Sequence, residues 1–120
     1  MAKPAGSACN LDCAYCFYLS KRVLPGGPGS GHMPDEVLER FVKDCIDSVT
    51  SDEVAFSWQG GEPTLLGLEF FEKVVTLQKK HARAGQRIEN DLQTNGTLLD
   101  DDWARFLKQQ RFLVGLSIDG

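Results

Sequence analysis

The chain has 120 residues, of which 42% are hydrophobic and 25% charged, a composition that suits one globular domain with a feasible core. Thirteen basic against seventeen acidic side chains give a net charge of −4 with no basic block, so neither nucleic acid nor an anionic membrane is indicated as a partner. No apolar run approaches the roughly 20 residues of a membrane span, and Met1-Ala2-Lys3-Pro4-Ala5-Gly6-Ser7 lacks the apolar core of a signal peptide, which makes the reducing cytoplasm the expected compartment.

Residues 2–8 are expected to end a strand that feeds Cys9-Asn10-Leu11-Asp12-Cys13-Ala14-Tyr15-Cys16. Three thiols within eight residues, spaced C-x3-C-x2-C, let one loop turn its sulfurs toward a common centre. Thiolates are soft ligands that select iron–sulfur clusters, zinc or Cu(I). A cubane cluster normally takes four cysteines, so Cys9, Cys13 and Cys16 would leave one iron open to a small molecule. Zinc would need a fourth ligand, for which Cys45, His32 and His81 are the candidates. A redox pair at Cys13 and Cys16 leaves Cys9 without a role. Structural disulfides belong to secreted scaffolds. On spacing alone, the zinc and redox readings stay open beside the cluster.

Phe17 to Ser20 reads as a helical turn, and Leu24-Pro25-Gly26-Gly27-Pro28-Gly29-Ser30-Gly31 as a surface loop. His32 is a solvated loop residue. Pro34 opens a helix, in which Val37, Leu38, Phe41, Val42, Cys45, Ile46 and Val49 form one apolar face. Cys45 lies inside that stripe and is assigned to the core as a small hydrophobe. Val54 to Trp58 is a short buried strand that ends in the turn Gln59-Gly60-Gly61-Glu62-Pro63. A second helix carries Phe70, Phe71, Val74, Val75 and Leu77, with Lys79, Lys80, His81 and Arg83 in its last turns complementing its dipole and Gly85 as its stop. Arg87 to Gln93 is the next strand, followed by the turn Thr94-Asn95-Gly96-Thr97. Asp100 caps a third helix with Trp103, Phe106 and Leu107 on its buried edge. Phe112 to Ile118 is near-continuously apolar, as in a strand covered on both faces.

Strands alternating with helices predict an α/β fold, a parallel sheet of βα repeats with right-handed crossovers. The cysteine loop, Gly60-Gly61-Glu62, Thr94-Asn95-Gly96 and Ser117-Ile118-Asp119-Gly120 all follow strand ends, where such sheets gather their ligand sites. The last strand has no covering helix after Gly120, so a fragment of a larger protein is expected.

CNLDCAYC resembles the cluster loop of radical S-adenosylmethionine enzymes, and SWQGGEPTLLG their GGE segment. QTNGTLLD and FLVGLSIDG, with KPAGSACNLDCAYCFYL, resemble the anaerobic sulfatase-maturating branch, which carries a C-terminal SPASM region. The resemblance spans residues 2–120. It implies that residues 1–120 are the N-terminal part of a partial (βα)6 barrel, an incomplete radical SAM core domain. It further implies a 4Fe–4S cluster on Cys9, Cys13 and Cys16, whose open iron takes the amino and carboxylate groups of S-adenosylmethionine. Backbone at Gly60 and Gly61 would meet the methionine ammonium, since glycine permits close approach. Tyr15 would contact adenine, Gln59 and Ser117 would meet the cofactor, and Glu62 would anchor its loop. Asn95 and Asp119 are either cofactor contacts or simply good turn formers.

The implied reaction is reductive cleavage of S-adenosylmethionine to methionine and a 5′-deoxyadenosyl radical, which abstracts hydrogen from a cysteine or serine of a sulfatase on the way to Cα-formylglycine. A sulfatase polypeptide and a small electron donor such as flavodoxin or ferredoxin are the implied partners. The general base and auxiliary cluster ligands are expected beyond residue 120. Alternative readings are another SPASM-type peptide maturase, or a non-catalytic zinc or redox module.

Overall fold

A computed structural model of the chain describes residues 1–18 and 32–118. The expected loop over Leu24 to Gly31, most of the turn after Phe17, and Asp119 lie outside the described residues. The elements in order are α1 (Asp35–Ser48), β1 (Glu53–Trp58), a 3-10 turn (Pro63–Leu66), α2 (Leu68–His81), β2 (Arg87–Thr94), α3 (Asp101–Gln109) and β3 (Leu113–Leu116). The strands form one parallel sheet in the order β1-β2-β3. Its register pairs Trp58 with Leu92, and Leu92 with Val114. The α/β class expected from the alternating pattern is what the chain adopts.

Alternation along the strands sorts the two faces of the sheet. Val54, Phe56 and Trp58 of β1 and Leu92 of β2 are buried with Leu38, Val42 and Ile46 of α1, Phe71 and Val74 of α2, and Trp103 and Phe106 of α3. Each such side chain contributes about 1.5–3 kcal/mol by leaving water. Within this core, Trp58 donates its indole N–H to Asn90 Oδ1 at 2.9 Å, and the amides of Asn90 and Gln78 bond each other at 2.8 and 2.9 Å. Three buried polar groups thus satisfy one another. The opposite face carries polar side chains: Ser57 donates to Asp91 at 2.7 Å, Arg87 pairs with Glu53 and Glu89, and Gln93 donates to Ser117 at 2.8 Å. A Cβ on Gly115 would lie 2.2 Å from Gln93 Oε1, so glycine there leaves room for that side chain.

Several expectations are corrected. Only Ala2 of residues 2–8 pairs as a strand, in a parallel bridge with Trp58, and the chain then turns. Pro34 precedes its helix and holds extended backbone, with Asp35 the first helical residue. Val37, assigned to the apolar face of that helix, is 51% exposed, because the face toward the sheet is centred on Leu38, Val42 and Ile46, with Phe41, Cys45 and Val49 packed partly buried beside them. Gly85 is not the stop of the second helix: α2 ends at His81, and Gly85 supplies a positive φ of 82° in the later turn to β2. The last strand runs from Leu113 to Leu116, shorter than the apolar run from Phe112 to Ile118. Among the described residues it pairs with β2 alone, and Leu113 and Leu116 are 73% and 51% exposed. Asp100 does cap α3, accepting the Trp103 N–H at 2.9 Å.

Candidate functional site

The cysteine loop is seated before its first thiol is reached. Ala2 bonds Ser57 and Gln59 across the end of β1, and the Gly61 and Glu62 N–H groups then donate to Gly6 and Ala8 carbonyls at 2.9 and 2.7 Å. A Cβ on Gly61 would fall 2.0 Å from the Ala8 oxygen, and one on Gly60 2.7 Å from the Gly6 oxygen. Gly60 also holds φ of 122°, a conformation that glycine alone adopts without strain. The double glycine is therefore required by the backbone that leads into Cys9, whatever else it contacts.

Glu62 is fully buried and welds this loop to the end of β2. One carboxylate oxygen accepts from Thr64 N, Thr64 Oγ1 and Thr94 Oγ1 at 3.1, 2.6 and 2.6 Å, and the other from the Asn95 N–H at 2.7 Å. A carboxylate out of water is tolerable only with donors of this kind. The expected anchoring role of Glu62 is what its hydrogen bonds describe.

Asn95 in turn reaches the cysteine loop, donating to Asn10 Oδ1 at 2.9 Å and lying 3.7 Å from Cys9 Sγ. Asn10 closes the circuit by donating to Thr97 Oγ1 at 2.8 Å. The three strand-end loops are thereby joined, and they surround a cleft of about 460 Å³. Its walls include Cys9, Cys13, Tyr15 and Cys16 from the first loop, Gln59, Gly60, Gly61 and Glu62 from the second, and Asn95 and Ser117 from beyond. Of the site residues singled out in the sequence, all that fall among the described residues border this cleft. Tyr15 stands at its mouth, 71% exposed.

Tyr18 and Gln93 also line the cleft and were not picked out from the sequence. Gln93 was legible in principle: it lies two residues beyond Asp91 on the polar face. Tyr18 had no such signal, because the Lys3 ammonium that sits 5.1 Å over its ring comes from another segment. Cys45 lies elsewhere, half-buried along a separate groove on α1, and burial pushes its thiol above the ordinary range.

Three free thiols on one cleft are the soft donors that an iron–sulfur cluster takes. Among the described residues no three His, Cys, Asp or Glu side chains form a ready-made metal site. Cys9 Sγ already faces the Leu11 backbone N–H at 3.4 Å and the Asn95 amide, donors suited to a thiolate. No helix among the described residues is long and apolar enough to cross a membrane.

The chain is 52% identical over 120 residues to a cysteine-type anaerobic sulfatase-maturating enzyme of Clostridium perfringens, covering all of this chain and 32% of that one. It is 48% identical over 120 residues to a serine-type anaerobic sulfatase-maturating enzyme of Bacteroides thetaiotaomicron, covering 29% of it. The chain thus spans about a third of the length of these relatives. Among solved structures, native anSMEcpe with bound AdoMet and Kp18Cys peptide superposes with a TM-score of 0.87 at 54% identity, over 98% of this chain and 31% of that one. The sequence model of the radical SAM superfamily matches residues 4–120, and the chain belongs to that superfamily.

Proposed function

We propose that this chain is the S-adenosylmethionine-binding part of an anaerobic sulfatase-maturating enzyme. The observation that carries the reading is the single cleft in which Cys9, Cys13 and Cys16 face Gly60, Gly61 and Ser117, in a chain that superposes on an AdoMet-bound structure. Cys9, Cys13 and Cys16 would hold a 4Fe–4S cluster, three protein thiolates where such a cluster normally takes four. When bound, cluster and S-adenosylmethionine supply a 5′-deoxyadenosyl radical at the cost of one electron, drawn from a small donor of the flavodoxin or ferredoxin type.

The chain's own residues bind and orient. The Gly61 and Glu62 N–H groups are already donated to residues 6 and 8, so the double-glycine turn offers carbonyl oxygens, the partners that a methionine ammonium requires. Gln59 and Ser117 border the cofactor's polar end, and Tyr15 closes over adenine at the mouth. Glu62 borders the cleft and serves more to hold the rim together than to meet the cofactor. The substrate is a cysteine or serine of a sulfatase polypeptide, oxidised to Cα-formylglycine. Relatives of both types match this chain at similar identity, so the assignment is to their common reaction.

Anaerobic reconstitution tests this. The protein should take up iron and sulfide, Cys13→Ala should lose them, and Cys45→Ala should retain them. With S-adenosylmethionine and a reductant, 5′-deoxyadenosine and methionine should form in equal amounts. Stoichiometric zinc without iron would support the metal-module reading instead. Radical formation without formylglycine on a sulfatase peptide would point to another SPASM-type maturase.

A further inference from the structure

We infer that Asn95 is a positioning residue that tunes the electron affinity of the cluster through an N–H···S hydrogen bond to Cys9. The inference rests on the cluster reading above and assigns Asn95 to the protein side of the centre, not to S-adenosylmethionine. The orientation of its amide is fixed by chemistry. The Thr97 backbone N–H can only donate, and it points to Asn95 Oδ1 at 3.0 Å, where Thr97 Oγ1 also donates at 2.8 Å. Nδ2 must therefore be the end that faces the cysteine loop. Its two hydrogens go to Asn10 Oδ1 at 2.9 Å and to Cys9 Sγ at 3.7 Å, a distance in keeping with the size of sulfur. Two donors and one carbonyl are then engaged, which leaves no N–H for a cofactor.

Two features make this contact more than loop packing. The Asn95 backbone is itself pinned by Glu62, so the amide is held in place before any ligand arrives. Cys9 Sγ also receives the Leu11 backbone N–H at 3.4 Å, so two N–H dipoles converge on one ligating sulfur. One-electron reduction adds negative charge to the cluster and its thiolates. N–H dipoles aimed at a thiolate stabilise that form more than the oxidised one, and hydrogen bonds to sulfur are a recognised control of such potentials.

The test is an EPR-monitored redox titration of the anaerobically reconstituted protein, with iron and sulfide measured on each sample. Asn95→Leu removes the donor, and Asn95→Asp replaces it with an anionic acceptor while keeping an oxygen for the Thr97 N–H. Asn95→Leu should lower the reduced-to-oxidised ratio at a fixed ambient potential by about tenfold, which for one electron is about 59 mV. Asn95→Asp should move the midpoint further in the same direction. Thr97→Val, which loosens the Asn10 tie but keeps the donor on Cys9, should leave the midpoint in place. In protein with native Asn95, asparagine isotopically labelled at its side-chain nitrogen should show a hyperfine coupling to the reduced cluster that persists in Asn10→Gln, which removes the labelled amide next to Cys9. This measurement stands even if the variants lose their iron. A loaded cluster with no such coupling, or with an unchanged midpoint in both Asn95 variants, overturns this inference and leaves the proposed function standing. Failure of the unsubstituted protein to bind iron and sulfide overturns both.

Discussion

The backbone N–H of Asn95 donates to a carboxylate oxygen of Glu62 at 2.7 Å, so the turn that ends β2 is held by the loop that ends β1. Thr64 and Thr94 donate to the same buried carboxylate. Glu62→Ala strands these donors in a place that water does not replace. Each buried group left unpaired costs about 1–3 kcal/mol, so a loss of about 3 kcal/mol or more is expected in urea unfolding. A loss below about 1 kcal/mol would mean that the joint is not closed as described.

Gly61→Ala and Gly85→Ala separate crowding from backbone strain. Gly85 holds a positive φ but has open space around its missing Cβ, whereas a Cβ on Gly61 would meet the Ala8 backbone at 2.0 Å. Gly85→Ala should cost about 1–2 kcal/mol in stability and leave iron uptake unchanged. Gly61→Ala must displace the entry to Cys9, and reconstituted iron should fall with it. Equal iron in both variants would contradict the close approach.

Asn90 sits at the centre of the buried polar cluster, accepting from Trp58 and exchanging hydrogen bonds with Gln78. Asn90→Leu leaves the Trp58 N–H and the Gln78 amide without partners. A destabilisation of about 2 kcal/mol is expected, and the double variant Asn90→Leu with Gln78→Leu should recover part of it. Chemical denaturation of the native protein, Asn90→Leu, Gln78→Leu and the double variant, four proteins in all, checks the cycle.

Glu39 on α1 accepts from Lys80 at 2.6 Å and lies 3.0 Å from His81 Nε2, both of α2. The Lys80 hydrogen bond first, and that of His81 second, hold its carboxyl below the ordinary glutamate range. A carboxyl with a lowered folded pKa contributes stability in full above its unfolded pKa and loses it as pH falls through the folded one. The melting temperature should therefore fall more steeply on the acid side for the native chain than for Glu39→Gln. Parallel curves would show that this pair does nothing for the α1–α2 contact.

Local pattern carried the element order from the first helix onward, because periodicity reports which side of a helix or strand leaves water. It carried the core line Leu38, Val42 and Ile46 for the same reason, and the Asp100 cap because that hydrogen bond closes within three residues. It misjudged residues 2–8, where the single bridge made by Ala2 depends on Trp58, far away in sequence. Gly60 and Gly61 were marked as glycines that permit an approach. What approaches them in the folded chain is the backbone of Gly6 and Ala8, far away in sequence.

The cysteine spacing and the strand-end turns were written in the chain itself, for thiol chemistry and turn geometry depend on neighbouring residues alone. That the Asn95 amide meets Cys9, and that the Asn95 backbone N–H meets Glu62, was decided only when the register of β1 against β2 brought residues 62 and 95 to the same level. Such contacts join positions more than thirty residues apart, and no local pattern encodes the length and pairing of the strands that bring them together.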